Sequence, residues 1–377
     1  MLQKLTSTLK TKAIPILKSA VIAISGAYLG LLVHLPLPWL LGPILSILVG
    51  ARFVKNLYWP RIIRDVAIII VGYSIGLSFT EEALGLILQQ LPLIFLMTIL
   101  IIAFCFALAW GVSKISGIDY PTILIGSIPG GLSQMILLAE EMKGINVSVV
   151  TFLQVSRLMM IILFVPMLVF SPVIGGGQVE SRSSLIHSST VKIVDLFPNI
   201  LIFIPVIAVA IYLFKRWKMP TPFLVGPIFA AACLGLVGYP GPPLPSLILD
   251  ASQFMLGTYI GLLIKPDQMD KKLKMTGSAV ISGVFLLLGS FGLSWLLAHG
   301  KQLSTATSLL SLAPGGMDQM GIIATVIHAD LSIVAGFQLF RLFFIFFVVP
   351  PFLRVFIAYL INRQKLESSE SKSIKRL

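Results

Sequence analysis

The segment Ile128-Pro-Gly-Gly-Leu-Ser-Gln-Met135 returns as Ala313-Pro-Gly-Gly-Met-Asp-Gln-Met320, 185 residues later, each time inside an apolar run. Self-similarity at a fixed interval constrains a fold more than any local propensity, because both copies must adopt one architecture. The surrounding sequence repeats at an interval of 184 or 185 residues. Pro36-Leu-Pro-Trp-Leu-Leu-Gly-Pro43 returns as Pro220-Thr-Pro-Phe-Leu-Val-Gly-Pro227, and Asp65 with Gly72-Tyr-Ser-Ile-Gly76 returns as Asp250 with Gly257-Thr-Tyr-Ile-Gly261. Gln154-Val-Ser-Arg157 returns as Gln338-Leu-Phe-Arg341, and Pro166 pairs with Pro350. These blocks divide the chain into a first repeat (1–175), a polar linker (176–196), a second repeat (197–361) and a Ser/Lys/Glu-rich tail (362–377) expected to be disordered.

The solvent for these repeats is set by composition. Of 377 residues, 57% are hydrophobic and only 11% charged, with a mean hydropathy of +0.98. Soluble domains carry about 25% charged residues, so lipid must solvate much of this surface. The net charge of +13 lies between apolar runs and at the ends, where it reads as a topology signal; no pattern points to direct nucleic-acid binding. The first run follows Lys4, Lys10, Lys12 and Lys18, but it is long for a signal peptide and reads as a retained span. Cys105 and Cys233 lack metal or disulfide spacing and read as buried small apolar residues.

Five apolar runs per repeat are long enough to span: roughly 14–34, 39–54, 63–80, 91–113 and 147–170, then 197–214, 222–238, 248–264, 276–299 and 331–361. The Pro-Gly-Gly runs, about 121–142 and 305–327, form a sixth of a different kind, since proline and glycine break a helix at their centre. Either they cross as broken helices or they enter and leave on one side. Twelve crossings with the N-terminus inside put 18 Lys/Arg inside and 8 outside; ten crossings give 23 and 3, with Arg157 and Arg341 in the membrane. The positive-inside rule prefers ten. Five crossings per copy invert the second copy and leave both termini in the cytoplasm. The expected fold is therefore an all-α membrane protein of two inverted repeats of five transmembrane helices, each with a Pro-Gly-Gly re-entrant or broken helix.

The candidate site follows from this arrangement. Gly130, Gly131, Gly315 and Gly316 let a ligand approach backbone at the tips, and the helices that follow begin there with free N–H groups. Arg157 and Arg341 lie about 15 Å into their spans. Each has a glutamine three residues earlier on the same helix face, Gln154 and Gln338. These pairs either line a cavity for an anion or tie helices together through backbone carbonyls. Gln134 and Gln319 follow the tips. Asp318, whose counterpart is Ser133, either couples a proton or cation or neutralises an arginine. Asp65, Asp250, Asn146 and Asp330 begin spans and read as helix N-caps. Gly42-Pro43 and Gly226-Pro227 read as kinks with close helix packing. The four histidines lack metal-ligand spacing, and no phosphate-binding loop or hydrolase motif is present, so neither a metal, a cofactor nor an enzyme is expected.

The duplicated Pro-x-Pro-aromatic-Leu-x-Gly-Pro block, the Gly-x-x-x-Gly block and the Pro-Gly-Gly-x-x-Gln-Met motif resemble the AbrB family of bacterial membrane proteins, over about residues 20–360. That family is distinct from the soluble DNA-binding regulator of the same name. The resemblance implies a bacterial inner-membrane location, and family names imply regulation of gene expression or ammonia monooxygenase activity. The family is also similar to inverted-repeat cation/proton antiporters and anion transporters, although this chain lacks their paired Asp-Asp at a discontinuous helix. The expected function is secondary transport of a small, organic anion-like solute. The alternatives are a membrane regulator acting indirectly on expression and, third, a monooxygenase, which dispersed histidines do not favour. The expected partners are the lipid bilayer and the solute, and a homo-oligomer is compatible with the sequence.

Overall fold

A computed structural model describes residues 2–142, 144–171, 199–263, 273–301 and 303–357. Among the described residues helix is the only regular secondary structure. The first repeat comprises α1 (Leu2–Leu32), α2 (Pro38–Phe53), α3 (Arg61–Gly76), α4 (Glu81–Ser116), α5 (Tyr120–Ser127), α6 (Leu132–Glu141) and α7 (Val147–Val169). The second comprises α8 (Ile200–Arg216), α9 (Pro222–Leu236), α10 (Ser246–Leu263), α11 (Leu273–Lys301), α12 (Thr305–Leu312), α13 (Met317–Val326), α14 (Leu331–Phe347) and a last helix α15 (Val349–Ile357). The linker expected at 176–196 and the tail expected at 362–377 lie outside the described residues.

Five of these helices are long and apolar enough to cross a membrane, and α14 with α15, bent by 41° at Val348, makes a sixth. The run expected to end in one tilted span is thus two helices, bent just before Pro350. Helices α2 and α9, 16 and 15 residues long, are apolar but rise only about 22–24 Å, short of a roughly 30 Å hydrocarbon core. The surface is apolar where a soluble protein's would be polar: Leu17, Phe53, Trp110, Tyr212 and Phe285 are exposed. Inside lie Arg157, Arg341, Gln154, Gln338 and thirteen of the described serines and threonines. Apolar outside and polar within is the distribution compatible with a multi-pass membrane protein.

Helix packing repeats when the two halves are exchanged. Helix α1 packs on α2, and α8 on α9; α4 packs on α5, and α11 on α12; α5 packs on α7, and α12 on α14. The largest contacts between halves are also exchanged, with α3 on α9 and α10 on α2. Glycine makes these close. A Cβ on Gly72 would lie 2.7 Å from the Leu224 carbonyl oxygen, and one on Gly76 2.7 Å from that of Ile228. In the other copy, Gly257 meets the Leu40 backbone and Gly261 meets Ile47. Both contacts advance in the same direction along their helices, so α3 runs parallel to α9 and α10 parallel to α2.

Helix α3 runs antiparallel to α10, and α4 to α11. At one end of the α3–α10 contact, Arg64 donates to the Tyr259 hydroxyl at 3.1 Å; at the other, Ser74 and Ile75 share a small cavity wall with Leu249 and Gln253. Along α4 and α11, Ile94 and Met97 cluster with Leu297, whereas Cys105 clusters with Leu286.

Caps set the ends of the site helices. Asn146 caps α7 through Val149 N at 3.2 Å, and Asp330 caps α14 through Ile333 N at 3.1 Å, as expected. Asp65 does not cap. It lies in the second turn of α3, whose N-cap is Pro60, and holds Arg64 at 2.5 Å. Asp250 likewise lies within the second turn of α10. The chain enters α3 through a proline that has no side-chain acceptor to offer, so the acid one turn later is free to hold a cation. Helices α2 and α9 continue through Pro43 and Pro227, and Gly42 lies against the backbone of Gly26.

Candidate functional site

Each Pro-Gly-Gly segment separates two short helices. Helix α5 ends at Ser127 and α6 starts at Leu132; α12 ends at Leu312 and α13 starts at Met317. The far ends of each segment lie close together. Asn146 N donates to Thr122 Oγ1 at 3.1 Å, and Asp330 N to Thr307 Oγ1 at 3.2 Å. The start of α5 therefore sits beside the start of α7, only five residues after α6 ends. Five residues reach at most about 18 Å, less than the roughly 30 Å that an extended α5–α6 pair would cover, so the chain doubles back at the tip.

The two arginines finish the first helix of each hairpin. Arg157 Nη1 donates to the carbonyls of Ile128 (2.7 Å) and Ser127 (3.3 Å), and Nη2 to Gln154 Oε1 at 2.6 Å. Gln154 Nε2 in turn donates to Ile125 and Ile128. The second copy repeats this: Arg341 donates to Leu312, Ala313, Gly315 and Gln338 Oε1, while Gln338 Nε2 reaches the Leu310 carbonyl at 2.6 Å. The last carbonyls of a helix lack intrahelical partners and carry partial negative charge, which a guanidinium satisfies. Both arginines thus tie α7 and α14 to the hairpins.

They also meet a common space. A cavity of about 210 Å³ lies between the repeats, with Pro129, Gly130 and Gly131 on one wall and Pro314, Gly315 and Gly316 on another. Arg157, Arg341, Gln338, Asp318 and Gln319 supply its polar lining. Gln154 stands behind Arg157 rather than in the wall, and the Gln134 side chain lies outside the described residues. The lining includes residues the sequence does not single out, notably Thr221 and Leu224 at the start of α9. Their signal was present, because both belong to the duplicated Pro-x-Pro block. The equivalent Leu37 and Leu40, at the start of α2, do not line the cavity; like Leu224, they belong to the buried core.

The cavity is electropositive. Among the described residues the ion pairs are Arg64–Asp65 and Arg354–Glu141, so no carboxylate pairs with Arg157 or Arg341. Asp318 accepts from Gln319 Nε2 at 2.9 Å. Two buried atoms of lining residues have no partner, Arg157 Nε and Gln319 Oε1. The N-caps of α6 and α13 are Gly131 and Gly316, which have no side chain to cap with; at α13 the Asp318 carboxylate accepts from the backbone N–H groups of Asp318 and Gln319. Guanidinium groups and open helix N-termini recognise anions through directed N–H donors. Among the described residues, no three His, Cys, Asp or Glu side chains gather as a metal site would need.

The model of the family described as "Transition state regulatory protein AbrB" matches residues 39–357, which include both hairpins and both arginines. The chain belongs to the AbrB family. Among AbrB-type relatives, the Bacillus subtilis (strain 168) protein YhjN is 26% identical over 294 residues, 76% of this chain and 76% of its own length. The Escherichia coli (strain K12) protein AbrB, whose name calls it a regulator, is 25% identical over 332 residues, 87% of this chain and 92% of its own. No solved structure matches significantly.

Proposed function

We propose that this AbrB-family protein is a secondary transporter of a small, organic anion-like solute in the bacterial cytoplasmic membrane. The observation that carries the reading is one cavity of about 210 Å³ lined by both Pro-Gly-Gly tips and both arginines, one of each from either repeat. Sites for drug-sized ligands occupy roughly 300–1,000 Å³, so the solute is small. Substrate sites at the interface of inverted repeats, built from interrupted helices, are the pattern of secondary transporters.

Inversion of the repeats, with both hairpins re-entrant and both termini cytoplasmic, is part of this proposal. The antiparallel course of α3 against α10 and of α4 against α11 supports it, as does the Lys/Arg distribution. The cavity reaches the start of α9 but not the equivalent start of α2. Such a difference between equivalent ends is what one state of an alternating pair would show. A regulatory phenotype, which the name of the Escherichia coli relative suggests, would follow from changed solute levels, and no enzymatic step is needed.

The test compares metabolites inside and outside cells that lack or overproduce the protein, then measures flux of any solute that moves. Arg157→Gln and Arg341→Gln should each reduce flux at least about tenfold while the protein still reaches the membrane. Unchanged flux in both variants, or no solute displaced between the strains, would sink the reading.

A further inference from the structure

We infer that the central cavity selects a singly charged anion, and that Asp318 sets this limit. The inference rests on the anion-transporter reading and deepens it. The cavity wall holds three formally charged side chains: Arg157 from α7, Arg341 from α14 and Asp318 from α13. Helix α9 contributes only Thr221 and Leu224. Arg64 of α3 is engaged by its own neighbour Asp65 and by Tyr259.

Four helix ends also meet here. The N-termini of α6 and α13 carry about half a positive charge each, and the C-termini of α5 and α12 about half a negative one, so the helix contributions nearly cancel. With Asp318 ionised, the sum is one net positive charge. A monoanion neutralises the site. A dianion leaves an uncompensated negative charge in a water-poor space, which is costly.

Two further observations point to a ligand rather than to a self-contained network. Arg157 is buried and lines the cavity, yet its Nε has no acceptor. Its Nη atoms are engaged by Ser127, Ile128 and Gln154, so Nε is the one nitrogen of this guanidinium that the protein leaves without an acceptor. Gln319, also in the wall, has a buried Oε1 without a donor. The acid is not a structural necessity of the hairpin, because the first repeat carries Ser133 at the equivalent position.

The experiment measures binding of butyrate and succinate, four-carbon acids of one and two charges, to the purified full chain in detergent. Calorimetry is run at neutral pH and constant ionic strength. The wild type should bind butyrate at least about tenfold more tightly than succinate, and Asp318→Asn should tighten succinate at least about tenfold. Asp318→Ser, which copies the first repeat, should behave as the asparagine does and guards against a defect peculiar to one variant. A wild type that prefers succinate overturns the inference even if neither variant folds. So does a butyrate-to-succinate ratio unchanged in both folded variants. If anion binding persists and still depends on Arg157 and Arg341, only the charge limit has failed. If neither acid binds any of the proteins, the charge limit and the anion reading fall together.

Discussion

At the scale of single residues, a guanidinium inside an apolar protein needs acceptors, and both copies find them at the broken end of a neighbouring helix. Gln338 holds Arg341 in place while donating to the carbonyls of Leu310, Ser311 and Ala313. Gln338→Leu keeps the volume but removes these bonds. It should lower stability by about 1–3 kcal/mol, read as a lower thermal unfolding midpoint in detergent, with Gln154→Leu similar. The sequence identified these residues, because an arginine and a glutamine one turn apart in a long apolar run are conspicuous. It left open whether the pairs bind solute or brace helices, since the α5 and α12 carbonyls lie 25 to 30 residues away. Asp65 was misread for a related reason: its role depends on Arg64 and on Tyr259, 195 residues from Arg64.

At the scale of elements, tolerance to added volume separates packed glycines from idle ones. Gly76 of α3 faces the Ile228 carbonyl and the Ala231 methyl of α9, both 2.7 Å from where its Cβ would lie. Gly76→Ala should force the helices apart and cost about 1–3 kcal/mol. Gly111 of α4 has nothing within 4 Å of a built Cβ, so Gly111→Ala should stabilise by about 0.4–1 kcal/mol. Thermal unfolding of the two variants side by side reads both effects. The hairpins were legible as breaks, because proline and glycine act locally. The pairing of α2 with α10 and α3 with α9 was not, because a Gly-x-x-x-Gly face announces a close partner without naming it.

At the scale of the whole molecule, the proposed inversion requires the two copies to present equivalent positions to opposite sides of the membrane. Lys114, near the end of α4, and His299, near the end of α11, are equivalent and both exposed. In a Cys233→Ala background, an impermeant thiol reagent added to intact spheroplasts should label His299→Cys and not Lys114→Cys. Equal labelling of both would refute inversion. Duplication was the most legible property of this chain, since it is written in the order of its motifs. The shared cavity was legible only as a convergence of tips; that it reaches α9 and not α2 is a property of the conformation, on which a repeated sequence is silent.

The arginine braces have a mechanical corollary. Their bonds to the tips are made entirely within one repeat, Arg157 and Gln154 to residues 125–128 and Arg341 and Gln338 to residues 310–315. Across the crossing, Gly130 meets Ile345 and Gly315 meets Ile161, hydrocarbon against backbone. Among the described residues, Ser127 of a tip segment reaches Ser282 of the opposite half through a long 3.4 Å hydrogen bond. Each brace therefore fastens a tip to its own repeat and leaves apolar contact to seat it against the other, so cutting one brace should loosen one repeat without unbonding the pair.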